Sequence, residues 1–437
     1  MTTYVKNKNA MLVIADEKTG TSVSFPAYLN SLDIKADYGV TLSKTKGQNI
    51  PNVAQSATTF TYNLSIQVVG DSVRDAINNY TNIQKLTKAI RHPDSPKNIN
   101  DYTNYFQVVL SNIIQNGTLT GPKTSDTSTT ASAKLYGIKC IIASVTTAPD
   151  VSMGFYEYNG FQYPKIYELS LALIVKATFD YGEKTRVIAA SFENNGEYEG
   201  KDVKHWPFGI NAFGLKESND LLFQKNGSDA SQLYAVKKGA MIGFADAKAA
   251  KHTVFEAFLE NYSFKRETNY QQLINEGTAV STMEIGSGIN DNTYSLSFNC
   301  VAHSVNEAMT NLVKLQHLIR FPIKNENDNG LPKGAMYAYF QNLIAKNHQP
   351  SFGEIPGFSK IKGNGMYCAI SSLDISIDNE IGYFDHKSFF IPKVIKVSME
   401  LVVVDPTIVG EAGTAGPVGS GTPSSTNSFA SDIDNIL

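Results

Sequence analysis

The strongest constraint on this chain is that it repeats itself. Cys140 and Cys368, Gly154 and Gly382, Pro164 and Pro392, and Ser170 and Ser398 all stand 228 positions apart. At the same spacing Gly137, Ile142, Ser144, Asp150, Phe161, Lys165, Leu173 and Val175 recur as Gly365, Ile370, Ser372, Asp378, Phe389, Lys393, Leu401 and Val403, without a gap. That makes 12 identities over the 39 positions from 137 to 175, far more than unrelated segments share. Upstream, Thr81-Asn82, Lys85-Leu86, Ile90-Arg91 and Pro93 match Thr310-Asn311, Lys314-Leu315, Ile319-Arg320 and Pro322, and Tyr105-Phe106-Gln107 matches Tyr339-Phe340-Gln341. Thr61-Tyr62 and Leu64-Ser65 match Thr293-Tyr294 and Leu296-Ser297, while Ala27 and Leu29 match Ala257 and Leu259. A repeat of this size makes each copy the unit of folding. Two tandem copies of one unit are expected.

Within each copy, period-two alternation marks strands wet on one face. Phe60, Tyr62, Leu64, Ile66 and Val68 alternate with Thr61, Asn63, Ser65 and Gln67. Tyr294, Leu296, Phe298 and Cys300 alternate in the same way with Thr293, Ser295, Ser297 and Asn299. A helix should follow. Ser72-x-x-Asp75 and Ser304-x-x-Glu307 read as N-terminal caps. Val305, Ala308, Leu312, Leu315 and Ile319 form one apolar stripe, and Pro93 and Pro322 are expected to end the helices. Further strands are expected over Tyr105–Ile114 or Tyr339–Ile344 and from Cys140 or Cys368. The last one alternates Tyr167, Leu169, Leu171, Leu173 and Val175, or Ile395, Val397, Met399, Leu401 and Val403. The fold class is mainly β (α+β), one helix lying against a half-buried sheet in each copy.

This divides the chain into an N-terminal segment (1–21), repeat 1 (22–180), a connector (181–251), repeat 2 (252–405) and a C-terminal arm (406–437). The connector holds the only tryptophan, in His205-Trp206-Pro207-Phe208, and short apolar runs at Arg186–Phe192 and Ala240–Phe244 that suggest strands. Gly47–Thr59 and Gln115–Ser132 read as polar loops. The arm is rich in Gly, Ser, Thr and Pro and reads as flexible, ending in Phe429 and Asp432-Ile433-Asp434-Asn435-Ile436-Leu437, a candidate docking peptide.

Chemistry is harder to find. The chain has 437 residues, 18% of them charged, and a net charge of −3, which excludes DNA binding through a strong positive field. Three cysteines cannot build a disulfide framework, so free buried thiols in a reducing compartment are expected. No apolar run approaches the ~20 residues of a membrane-spanning helix. Gly286-Ser287-Gly288 and Gly363-Asn364-Gly365 lack the rest of a phosphate loop, and no Gly-x-Ser-x-Gly elbow occurs. Seven histidines show no metal spacing, and Asn325–Gly330 lacks the closing glutamate of a calcium loop. Glu157 and Asp385 match across the repeat and are the best pair for glycoside hydrolysis, although exposed loop carboxylates explain them more simply. No catalytic, cofactor or metal site is expected.

The unit resembles the tail-tube fold of tailed bacteriophages and related contractile injection machines. The alternating strand running into a capped helix (Thr61–Pro93; Thr293–Pro322) carries the resemblance. So does the Gly-aromatic-aromatic-acid, x-Pro-Lys, alternating-strand block (Gly154–Val175; Gly382–Val403). It implies two tandem tail-tube-like β-sandwich or barrel units, each with a flanking helix. Because tubes of this family commonly have six-fold symmetry, it further implies a trimeric, pseudo-six-fold ring at the baseplate hub or the start of the tail tube. DNA would then be transient cargo in a central channel, other tail and baseplate proteins the partners, and the virion, assembled in the host bacterial cytoplasm, the location. Thr61, Asn63, Ser65, Gln67, Thr293, Ser295, Ser297 and Asn299 are the candidate lumen-facing residues, a strip without lysine or arginine. The alternatives are a repeating tube protein of a long tail, a peripheral carbohydrate-binding baseplate or adhesin protein, and a tail-embedded hydrolase using Glu157.

Overall fold

A computed structural model describes residues 11–43, 52–55, 58–90, 104–110, 113–114, 138–175, 240–246, 252–256, 258–267, 271–273, 282–284, 291–323, 335–340, 343–345, 358–386 and 389–404. Strand makes up 65% of these and helix 19%, so the protein is mainly β.

The first half contains β1 (Met11–Asp16), β2 (Ser22–Asp37), β3 (Val40–Ser43), β4 (Asn52–Gln55), β5 (Thr59–Val69), α1 (Val73–Ile90), β6 (Phe106–Leu110), β7 (Ile138–Pro149), β8 (Phe155–Tyr158), β9 (Phe161–Pro164) and β10 (Ile166–Val175). The second contains β11 (Met241–Asp246), β12 (His252–Glu256), β13 (Phe258–Glu267), β14 (Gln271–Leu273), β15 (Thr282–Glu284), β16 (Asp291–Val301), α2 (Val305–Arg320), β17 (Ala335–Tyr339), α3 (Phe358–Asn364), β18 (Met366–Ile377), β19 (Tyr383–His386), β20 (Phe389–Pro392) and β21 (Val394–Val403).

In the first half β1, β6, β7, β10, β5 and β2 are hydrogen-bonded in that order, and β2 returns to β1, closing a barrel. The long β2 makes this possible. Its first residues pair with β1 and the rest with β5, the register shifting between Leu29 and Ser31. In the second half the path runs β12, β11, β17, β18, β21, β16, β13, and β12 and β13 are separated only by residue 257. Small two-stranded sheets, β3–β4, β8–β9, β14–β15 and β19–β20, project from these. One apolar core runs through both halves, from Leu12, Phe25 and Leu64 to Phe298, Leu315 and Leu401.

α1 and α2 begin as the sequence expects. The Asp75 amide donates to Ser72 Oγ and the Glu307 amide to Ser304 Oγ, both at 3.2 Å, while the His303 amide donates back to the Glu307 carboxylate. Ala308, Leu312, Leu315 and Ile319 are buried. The block around the matched glycines also has a physical cause. Gly154 (φ +77°) and Gly382 (φ +82°) adopt a left-handed backbone that other residues reach only at a cost. Their carbonyls accept from the Lys165 and Lys393 amides at 3.2 and 3.1 Å. Those lysines then lie over the Tyr156 and Phe384 rings at 5.3 and 5.7 Å from the centroids, a favourable cation–π contact.

The structure differs from the sequence expectations in three places. β1, in the N-terminal segment (1–21), belongs to the sheet through its pairing with β2 and β6, and β11 lies where the apolar run Ala240–Phe244 suggests a strand. The strand expected at Tyr339–Ile344 is instead β17, ending at Tyr339, with Phe340 bridging to Ile344. The corresponding bridge is Leu110 to Ile114, so the Tyr-Phe-Gln identity is displaced by four residues from the pairing. Part of the expected loop Gly47–Thr59 forms β4, paired with β3. β2 alternates on either side of its register shift, burying Leu32, Ile34 and Ala36 between Asp33, Lys35 and Asp37. Arg186–Phe192, the tryptophan, Gln115–Ser132, Asn325–Gly330, Pro93 and the C-terminal arm lie outside the described residues.

Candidate functional site

β7, β10, β5, β2, β18, β21, β16 and β13 form one continuous eight-stranded stretch of sheet. One face is dry. Tyr62, Leu64, Ile66 and Val68 from β5, Leu169, Leu171 and Leu173 from β10, and Leu296 and Phe298 from β16 are all buried there. The opposite face carries all eight candidate lumen residues. Asn63 and Ser295 are exposed, and Thr61, Ser65, Gln67, Thr293, Ser297 and Asn299 are half-buried among their neighbours. The face is knitted by side-chain hydrogen bonds. Ser170 Oγ donates to Ser65 Oγ at 3.4 Å, and Ser398 Oγ to Ser297 Oγ at 3.1 Å. Asn299 Nδ2 donates to Glu260 Oε1 at 2.7 Å.

The strip is not as free of cations as its own residues suggest. Strand pairing sets Lys35 opposite Thr61, Lys265 opposite Thr293 and Lys396 opposite Asn299. Acids outnumber them, however: Asp33, Asp37, Glu168, Glu260, Asp374 and Glu400 share the face in exposed positions. Lys396 is ion-paired with Glu260, and this contact together with Asn299 holds the Glu260 carboxyl below its ordinary value. Asp33 is held above its ordinary value by partial burial and by Asp374, and Asp374 is raised by burial against the pull of Lys35.

The middle of this stretch is a joint between the two halves of the chain. β2 and β18 pair antiparallel from Asp37 opposite Ser372 to Asp33 opposite Ser376. Beside it the Tyr38 amide donates to Ser371 O at 3.1 Å, and the buried Tyr38 hydroxyl donates to Ile319 O at 3.1 Å. At the two ends β13 pairs with no described strand besides β16, and the outer edge of β7 pairs with β6 over Ile138–Cys140 alone, so that Ile141–Pro149 has no described strand on that side. No family model matches the chain, and no curated protein matches it either. What the protein does has to come from its own geometry.

Elsewhere the chemistry is sparse. Burial keeps the Cys140, Cys300 and Cys368 thiols protonated, raising the last two to about 12, which suits packing rather than nucleophilic attack. Among the described residues no three of His, Cys, Asp and Glu converge on a metal site, and no helix is long and apolar enough to cross a membrane. Glu157 pairs with Gln162 in the exposed β8–β9 hairpin, and Asp385 sits in the separate β19–β20 hairpin opposite Phe390.

Proposed function

We propose that this protein is a structural ring component of a phage-type tail. It is built of two tandem tube-like units and acts at the baseplate hub or the start of the tube. The observation that carries this reading is the eight-stranded sheet with a dry face, a hydrophilic face and an open length of edge at each end, along β13 and along β7 beyond Cys140. Open edges are a hazard in a monomer, and closure into a barrel removes them. The recurrence of the same strand partners in both halves supports the two-unit organisation. Cys140 lies opposite Phe106 and Cys368 opposite Met336, for example.

Three copies would supply 24 strands. At ~4.8 Å between strands the ring would be about 37 Å across for upright strands, and wider with tilt. Thr61, Asn63, Ser65, Gln67 and their counterparts would line the hole. Acids in excess over lysines on that wall would let DNA pass without being held by its phosphates. The connector and the C-terminal arm favour a hub or initiator, which meets dissimilar partners, over a repeating tube protein. Negative-stain images test this: single rings with six lobes and a central hole are expected. Long stacks would mean a repeating tube protein, and isolated monomers would remove the ring.

A peripheral carbohydrate-binding role is the second reading. It rests on the exposed aromatics Phe155, Tyr158 and Phe161 of the first hairpin, which suit sugar stacking. Binding to cell-wall glycan that is lost with Phe161→Ala would support it.

A further inference from the structure

The chain already contains one example of the joint that a ring needs. β18 and β2 bury Ile375 and Ile34, each 2% exposed, against the shared core. At the end of this joint the Asn379 amide donates to Leu29 O at 3.3 Å and to Asn30 O. Strand pairing shows which elements occupy the same places elsewhere. β7 stands to β6 and β10 as β18 stands to β17 and β21, 228 positions on. β13 stands to β16 as β2 stands to β5: Glu267 lies opposite Asp291 as Asp37 lies opposite Thr59.

We propose that β7 of one copy adds antiparallel to β13 of the next copy in the register of the internal joint. Ser144 then lies opposite Glu267, Thr146 opposite Lys265 and Ala148 opposite Ser263. This rests on the ring reading above and supplies its contact residue by residue.

A second observation points the same way. Single exposed apolar side chains are ordinary on a protein surface, but here they fall where the internal joint predicts contacts. Phe264, at the place of Ile34, is 39% exposed; Leu259, at the place of Leu29, is 37% exposed; Val151, at the place of Asn379, is 69% exposed. Closing the joint would lay Val151 of one copy against Leu259 of the next, replacing a polar contact with an apolar one. It would also cover Phe264. The two facing acids of the internal joint, Asp33 and Asp374, become Ser263 and Thr146, so no like charges meet.

Paired cysteines test the register. Thr146→Cys and Lys265→Cys lie at opposite ends of the eight-stranded sheet, about 34 Å apart across seven strand spacings. A disulfide needs Cα atoms within ~7 Å, so none can form within one chain. The double variant is expected to shift under oxidation from monomer to dimer and trimer bands on a non-reducing gel. A mixture of the two single variants should stop at dimer. Ser144→Cys with Ser263→Cys, four residues out of register, should stay monomeric. The mass of the same samples is read before oxidation. A trimer that cross-links only through the out-of-register pair, or through neither, overturns the register and leaves the ring standing. A monomer that does not cross-link at the highest soluble concentration overturns both.

Discussion

Phe264 and Ile34 occupy matching places on β13 and β2, and the two respond differently to truncation if the open edge is an assembly edge. Ile34 is 2% exposed because β18 covers it, whereas Phe264 is 39% exposed. Truncating Ile34 to alanine removes packing already made within one chain and should cost about 3 kcal/mol of unfolding stability. Phe264→Ser removes a ring that contacts Tyr294 at 4.7 Å between centroids, worth about 1 kcal/mol in the monomer. Its larger effect should appear on association. For a side chain of ~200 Å², the exposed part is roughly 80 Å², or about 2 kcal/mol per joint at ~25 cal/mol/Å². That is about a 30-fold loss in each joint's association constant. Urea unfolding measures the first quantity, and sedimentation velocity over a concentration series measures the second. The reasoning is refuted if Phe264→Ser loses as much unfolding stability as Ile34→Ala and its mass distribution matches the parent's.

Three further outcomes are expected. Asp33 has a raised pKa, so the folded chain holds its proton more tightly than the unfolded chain; stability is therefore lost as pH rises from the ordinary value of 3.8 through the folded value. Asp33→Asn should raise the unfolding free energy from urea titration at pH 7 by a few tenths of a kcal/mol after solvent screening, and the gain should vanish at pH 3. Lys314 is buried, its pKa pushed down to about 8 by desolvation while Glu256, Cys300 and Glu307 pull it up. Lys314→Met should destabilise by about 3 kcal/mol because it strands buried carboxylate charge, and adding Glu256→Gln should recover part of the loss in the same unfolding assay. Finally, a cysteine at Asn63 or Ser295 should react with a small maleimide in the assembled ring as fast as in the monomer; protection on assembly would place these residues between subunits and remove the lumen assignment.

Much of this fold was legible in the sequence because period-two alternation and capping are local signals. β5, β10, β16 and β21 bury the expected faces, and Ser72 and Ser304 cap the helices. Residue identity and structural equivalence part where periodic structure tolerates slippage. The caps align the helices 232 positions apart, whereas Lys85-Leu86 and Lys314-Leu315 align them at 229. A slip of three residues keeps the same helical face, so hydrophobic pattern cannot detect it. In β6 and β17 the position equivalent to Phe106 by strand pairing is Met336, four residues before the identical Phe340. The alternation of Leu32, Ile34 and Ala36 with Asp33, Lys35 and Asp37 was a usable signal for β2. No local signal could have revealed that β2's partner is β18, more than three hundred residues away, and the open edges are visible only once that pairing is known.

The native mass of the purified 47.8 kDa chain, taken across a range of concentrations, tests the central claim most directly. Closed rings of three predict a single assembled species near three chain masses, with no larger species as concentration rises, because a closed ring leaves no edge to extend. A monomer at every concentration, or an open-ended ladder of ever larger species, would contradict the ring.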